Sequence, residues 1–356
     1  MINVRNLKLA LPLVLLTTVT ACAPSIPPTE PLPVIEPVKQ SPAVTDPDAA
    51  FRTWLEALRR EALEAGIRPE VLHEALDGIE PAPAVITPRH KQAEFALSKS
   101  EYVKRLASEQ RYREGLLQMA QHRDLLQKVE ARYGVPGPYL LALWAIESDF
   151  GKGGSKHPVI RALVTQAWQS NRQAFFRKQL LAALSILDQE GIPADALRGS
   201  WAGAMGHFQF IPTTYRDYAV DFNGDGHRNI WTDVEDALGS AASYLIRAGW
   251  KKNTTWGWQI ELPAGFDLTV ADLTIKKSLA EWRRLGLPPV SGTDDLMASL
   301  ILPDGPEGPA FLVTDNVRVL MRWNRSIAFA LAVGNLAQRF EEAAPAGSGE
   351  GATSSP

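Results

Sequence analysis

The strongest constraint on this chain is a carboxylate at the end of an apolar helical run. In ALWAIESDFG, residues 142–151, Glu147 falls on the same helical face as Leu140, Leu143 and Trp144. A buried charge is costly unless paired, and a buried acid tends to stay protonated. Glu147 is therefore either a structural ion-pair partner or an acid kept protonated for chemistry. Asp149, two residues on, points to a different face if the helix continues.

The rest of the chain brackets this helix with punctuation. Apolar residues at Phe51, Trp54, Leu55, Leu58, Leu63, Val71, Leu72 and Leu76 have helical spacing over residues 51–79, with Pro69 at a helix start. Residues 91–134 continue helical, and Pro136-Gly137-Pro138 turns the chain into the Glu147 helix. Residues 172–190 form a periodic helix stopped by Gly191 and Pro193, and 233–248 another. After Trp250 the character changes. TTWGWQIELPAGFDLTV alternates, ASLILPDGPEGPAFLVTD reads as two short strands around a Gly/Pro turn, and SLAEWRRLGL between them reads as a short helix. Residues from Asn316 to Phe340 return to helix, interrupted by the polar RWNRS. The Gly/Ser/Ala-rich tail, 343–356, is expected to be disordered.

The N-terminus carries an address. Arg5 and Lys8 precede an apolar stretch, residues 9–21, too short to span a bilayer comfortably. It ends in VTAC at Cys22, the only cysteine. The pattern resembles a bacterial lipoprotein signal, cut so that Cys22 carries the lipid; an ordinary signal peptide would leave an unpaired thiol in a secreted protein. Ala23, where aspartate is absent, resembles the Gram-negative lipoproteins sent to the outer membrane. Residues 23–50 hold eight of the 26 prolines and read as a semi-extended tether. Loss of residues 1–21 takes the formal net charge from −3 to −5, which argues against nucleic-acid binding. A single cysteine excludes an intramolecular disulfide and a cysteine-based zinc site.

Two further stretches carry chemistry. GSWAGAMGHFQFIPTTY, residues 199–215, mixes small residues with Ser200, His207, Gln209 and Thr213 and with Trp201, Phe208, Phe210 and Tyr215. It suits a groove for sugars, with aromatic faces under rings; a tight helix-packing loop would use the same composition. DFNGDGHRNIWTDVEDA, residues 221–237, begins like an EF-hand loop, with Asp221, Asn223 and Asp225 as ligands, Gly226 at the turn and His227 offering its carbonyl. Thr232 stands where the closing glutamate belongs, so Glu235 or Asp236 would have to close the loop. A polar turn is the plainer reading.

Taken in order, AIESDFG, AFFRKQLLAAL, GSWAGAMGHFQFIPTTY, VDFNGDGHRNIW, AGW…WGWQIELP and RWNRS resemble the lytic murein transglycosylase B family over about residues 50–340. The resemblance implies a mainly α (α+β) fold. Together with the independent reading of the N-terminus, it divides the chain into signal peptide 1–21, lipidated Cys22 and tether to 50, helical domain 51–135, lysozyme-like core 136–251, β-containing insert 252–314, C-terminal helix 315–342 and tail 343–356. It implies cleavage of the MurNAc–GlcNAc bond of peptidoglycan without water, giving a 1,6-anhydro end, with Glu147 as acid and then base.

By the same resemblance Ser200, Gln209, Tyr244 and Asn324 are glycan-cleft residues. Trp323 replaces the tyrosine of the family's YN pair, Phe175 stands where some members have tyrosine, and Arg172 keeps one of two adjacent arginines, the other being Asn171. Structural Ca²⁺ is expected on Asp221, Asn223, Asp225, the His227 carbonyl and Asp236. The partners implied are peptidoglycan glycan strands and the outer membrane. The competing readings are a hydrolysing lysozyme, for which no second base is visible, a non-catalytic peptidoglycan-binding scaffold and a Ca²⁺-regulated lipoprotein.

Overall fold

The computed structural model describes residues 47–82, 97–153 and 156–343. The leader, Cys22, the tether to residue 46, residues 83–96 and the tail beyond 343 lie outside these residues. Thirteen helices are described: α1 (Pro47–Glu64), α2 (Pro69–Leu76), α3 (Lys99–Leu106), α4 (Glu109–Gln121), α5 (Arg123–Tyr133), α6 (Gly137–Ser148), α7 (Val159–Gln169), α8 (Gln173–Glu190), α9 (Pro212–Tyr218), α10 (Val234–Arg247), α11 (Leu279–Arg284), α12 (Asp315–Trp323) and α13 (Ile327–Ala343). Among the described residues no helix is long and apolar enough to cross a membrane.

Local chemistry explains the boundaries. Pro69 opens α2, where its missing N–H is harmless. Ser98 and Glu101 form a reciprocal capping box at α3. Gly134 and Gly191 end α5 and α8 in the left-handed conformation. Asp233 caps α10 through the N–H groups of Glu235 and Asp236.

Helix α6 is the axis of the core. Leu140, Leu141, Ala142, Leu143 and Ala145 are fully buried, so the helix is enclosed on all sides. It packs against α4, α5, α10 and, most extensively, α13. Each buried leucine contributes about 1.5–3 kcal/mol. The C-terminal stretch is two helices rather than one: Asn324 takes an extended conformation after Trp323, and Ser326 accepts from the N–H of Phe329 to start α13. The interruption sets Trp323 and Asn324 at a helix end beside the core.

Two short strands, β1 (His157–Pro158) and β2 (Arg198–Gly199), pair with each other ahead of the glycine-rich segment. A second, antiparallel sheet has the order β3 (Gly257–Ile260), β6 (Ala310–Val313), β5 (Met297–Ile301), β4 (Lys277–Ser278). Alternation along β6 serves two cores. Phe311 and Val313 join the main helical core, while Ala310 and Leu312 pack with Leu279 and Trp282 of α11. Both faces are covered, which is why this strand reads as continuously apolar.

The join between sheet and helices is tight at Gly334. A Cβ there would lie 2.3 Å from Cδ2 of the buried Trp256 indole. Alanine gains about 1 kcal/mol of helix propensity, but overpacking costs about 1–3 kcal/mol or more. Gly334→Ala is expected to lose about 1–2 kcal/mol net, read as a lower denaturant midpoint at unchanged slope.

Candidate active site

Glu147 lies in the last turn of α6, and the helix is stopped immediately after it. Asp149, Phe150 and Gly151 all have positive φ, at 51°, 60° and 82°. This is uncommon for a bulky residue such as phenylalanine and requires support from its surroundings. The support is a clamp onto the glycine-rich segment. Ser148 donates its hydroxyl to the carbonyl of His207 at 2.5 Å and accepts the N–H of Gly151 at 2.9 Å. The Trp144 indole N–H donates to Nδ1 of His207 at 2.9 Å. Burial pushes the His207 pKa down, which keeps Nδ1 available as an acceptor. At Gly151 any Cβ would meet that imidazole at 2.5 Å, so the stop needs glycine for space as well as conformation.

Glu147 itself is partly open. Its Oε1 accepts the indole N–H of Trp323, 176 residues away, at 2.8 Å. Removal from water pushes its pKa up to about 7, and the Trp323 bond acts in the opposite direction. Trp323 is held in an aromatic cluster, with ring centroids 4.8 Å from Tyr244, 5.4 Å from Phe210 and 6.1 Å from Phe208. At neutral pH the acid is therefore divided between its protonated and ionised forms, and the protonated form can donate.

The other predicted cleft residues fall into groups. Ser200 is half-buried, and its Oγ accepts the N–H groups of Ala202 and Ala204, organising its own turn. Gln209 has a φ of 50° and donates its amide to the carbonyl of Gly206 at 2.9 Å. Both lie on the segment that the clamp ties to α6. Tyr244 directs its hydroxyl to the carbonyl of Arg322 at 2.8 Å, so it supports the residue before Trp323. Asn324 follows Trp323 and accepts the N–H of Ser326. Arg172 and Phe175 form a pair of their own at the start of α8, the guanidinium 4.2 Å from the ring centroid. Sequence reasoning passed over the roles of Trp144, Ser148 and His207 in holding the acid. The only signal was that they share the two specific motifs.

The acidic loop folds as a cage of oxygens. Ligand oxygens of Asp221, Asp225 and Asp236 lie within 4.8 Å of one another. Asp236 is completely buried, and burial pushes its pKa up. It completes the cluster, while Glu235 is exposed. Backbone N–H groups of Gly224, Asp225 and Gly226 converge on Asp221, and Asn223 bridges to Asp225 and Asp233. Among the described residues no lysine or arginine pairs with the three acids. An all-oxygen set lacking a counter-charge fits a hard divalent cation.

These features define a mainly helical, lysozyme-like fold with one protonatable glutamic acid set among aromatic rings. The family model described as "Transglycosylase SLT domain" matches residues 50–338. The chain belongs to that family. Among its relatives, membrane-bound lytic murein transglycosylase B of Escherichia coli (strain K12) is 32% identical over 245 residues, a match spanning 67% of this chain and 66% of that protein. SltB3 of Pseudomonas aeruginosa, solved in complex with NAG-NAM-pentapeptide, is 44% identical, with a TM-score of 0.78 over 82% of this chain and 79% of the other. A second SltB3 structure holds NAG-anhNAM-pentapeptide, with a TM-score of 0.77 over the same shares and at the same identity. The Escherichia coli lytic transglycosylase Slt35 in complex with calcium is 28% identical, with a TM-score of 0.68 over 82% of this chain and 93% of the other.

The raised pKa has a consequence for stability. Because the folded value of about 7 exceeds the ordinary 4.5, Glu147 favours folding below about pH 4.5 and loses that contribution as pH rises through about 7. Glutamine mimics the protonated acid at every pH. Glu147→Gln is expected to melt close to wild type at pH 4.5 and higher than wild type at pH 8, with the gap opening between, as measured by thermal unfolding.

Proposed function

We propose that this chain is a lytic transglycosylase that cleaves the MurNAc–GlcNAc β-1,4 bond of peptidoglycan without water and leaves a 1,6-anhydro-MurNAc end. The observation that carries the reading is one carboxyl with a pKa raised to about 7 and a single hydrogen-bond donor, Trp323. Among the described residues no second carboxylate acts on it. Two-carboxylate glycosidases set an acid against a base or nucleophile, and substrate-assisted enzymes are the exception to that scheme.

One residue then serves both steps. Protonated Glu147 donates to the glycosidic oxygen as the C1–O bond breaks, and the leaving sugar departs as an alcohol. The substrate's 2-acetamido oxygen bonds to C1 and takes up the positive charge. Glu147, now a carboxylate, removes the C6 hydroxyl proton. The C6 oxygen attacks C1, displaces the acetamido oxygen and restores the protonated acid. A pKa near 7 suits a group that must hold a proton and then take one back. SltB3 was captured with a NAG-anhNAM-pentapeptide, which supports the anhydro end as this chain's product.

The decisive measurement uses residues 23–356 on peptidoglycan sacculi, with released fragments identified by mass spectrometry. Anhydro ends from wild type and at least a thousandfold less from Glu147→Gln are expected, on the order of what loss of the acid–base group removes. Reducing ends would make the protein a hydrolase. Binding to sacculi with no cleavage by wild type would make it a scaffold.

Ca²⁺ is proposed for the oxygen cage, through Asp221, Asn223, Asp225, the His227 carbonyl and Asp236; Slt35 was solved with calcium. Bound there, the ion would offset most of the charge of the three carboxylates and fix the start of α10. Excess Ca²⁺ at a hundred times its dissociation constant is expected to add about 2.7 kcal/mol over EGTA-treated protein. Asp225→Asn should shrink that difference, and equal melting in both buffers would remove calcium from the account. A lipid on Cys22 and the Pro-rich tether would place the enzyme at the periplasmic face of the outer membrane. The name of the Escherichia coli relative, membrane-bound, supports this.

A further inference from the structure

We infer that Trp323 is the positioning residue of the acid: its indole N–H holds Oε1 of Glu147 and leaves Oε2 as the atom that carries the transferable proton. The inference rests on the transglycosylase reading of Glu147. It starts from the 2.8 Å bond between Nε1 and Oε1 and from the chemistry of the donor. Indole nitrogen donates and cannot accept, so Trp323 can never take a hydrogen bond from the protonated acid. With Oε1 engaged, the carboxylic proton sits on Oε2. A phenol in this place could accept that proton's hydrogen bond and turn it away from substrate. Tryptophan here therefore commits the acid to one orientation in both of its protonation states.

The same bond favours the carboxylate over the acid. Burial pushes the proton affinity of Glu147 up, and the indole hydrogen bond pulls it back. The bond becomes strongest when Glu147 turns to its basic task. Among the described residues no charged neighbour shares this role. Asp149, on the same chain segment, lies past the helix stop. His207 from the glycine-rich segment is engaged by Trp144, and His122 packs tilted against the same indole. Tyr244 of α10 donates to the Arg322 carbonyl, and the Arg322 guanidinium of α12 is drawn to the carbonyl of Ala248. Burial and Trp323 are the two influences on Glu147.

The position of Trp323 is itself over-determined. Its ring is held by Tyr244, Phe208 and Phe210, and its backbone by the Tyr244 hydroxyl on the preceding carbonyl. The α12–α13 interruption directly after it frees the helix end to turn the indole toward α6. Packing alone would be served by any large ring.

The test measures Glu147's proton affinity in two independent ways. The first is the alkaline limb of kcat/KM on sacculi. The second is the pH midpoint of the melting difference that Glu147→Gln produces, in the presence and absence of Trp323→Phe. It is read without glycan, so that it judges Trp323 whatever the product analysis decides. In Trp323→Phe both are expected to move up by about one pH unit. Phe208→Leu, which trims one ring of the packing and keeps the indole N–H with Tyr244 and Phe210 around it, should lower kcat/KM and move both midpoints by much less than Trp323→Phe does. Unmoved midpoints in Trp323→Phe, or an equal shift in Phe208→Leu, would overturn the inference. If Trp323→Phe fails to fold, 3-benzothienylalanine at position 323 keeps the bicyclic ring and lacks only the N–H. The upward shift is expected there too, and its absence is equally decisive.

Discussion

The hydrogen-bonded clamp between the end of α6 and His207 is the interaction on which the site depends. An apolar helix can bury its length without any polar partner, but its end presents carbonyls that need donors and a chain that must turn. Here the turn occurs within four residues of Glu147. Trp144 and Ser148, one turn apart, both engage His207, so the turn of helix that carries the acid is tied to the glycine-rich segment. Loosening that clamp would leave the helix intact and the acid misaimed.

The acidic loop and the aromatic cluster meet through α10. Asp236 begins this helix inside the oxygen cage, and Tyr244, two turns further on, touches Trp323 and holds Arg322. A cation that fixes the first turn of α10 therefore also sets the platform on which the acid's hydrogen-bond donor rests. An ion bound as proposed would thus have a route to the site without contact with substrate.

Much of the fold was legible because its boundaries are chemical. Pro69, Gly191 and the alternation in WGWQI act locally, and the elements they mark are present. The two strands around LPDGPEGP were readable for the same reason. The true break at Asn324 was visible only as a polar interruption, because its cause is tertiary: Trp323 is held from three other segments. Glu147 stood out from burial physics alone. Tyr244 and Trp323 reached the site through the family resemblance, which marked them as cleft residues but could not supply their partners. Closure of the oxygen loop by Asp236 rather than Glu235 depended on helix phase, since only Asp236 faces inward at the first turn of α10.

The distance along the chain between the two groups at the centre of the site has its own consequence. Glu147 and Trp323 are 176 residues apart, and α13, the last described helix, packs along α6. A chain synthesised from its N-terminus presents the acid long before its indole partner exists. The arrangement seen here cannot form until almost the whole chain has been made. The pair at the centre of the candidate site is thereby completed among the last parts of the fold.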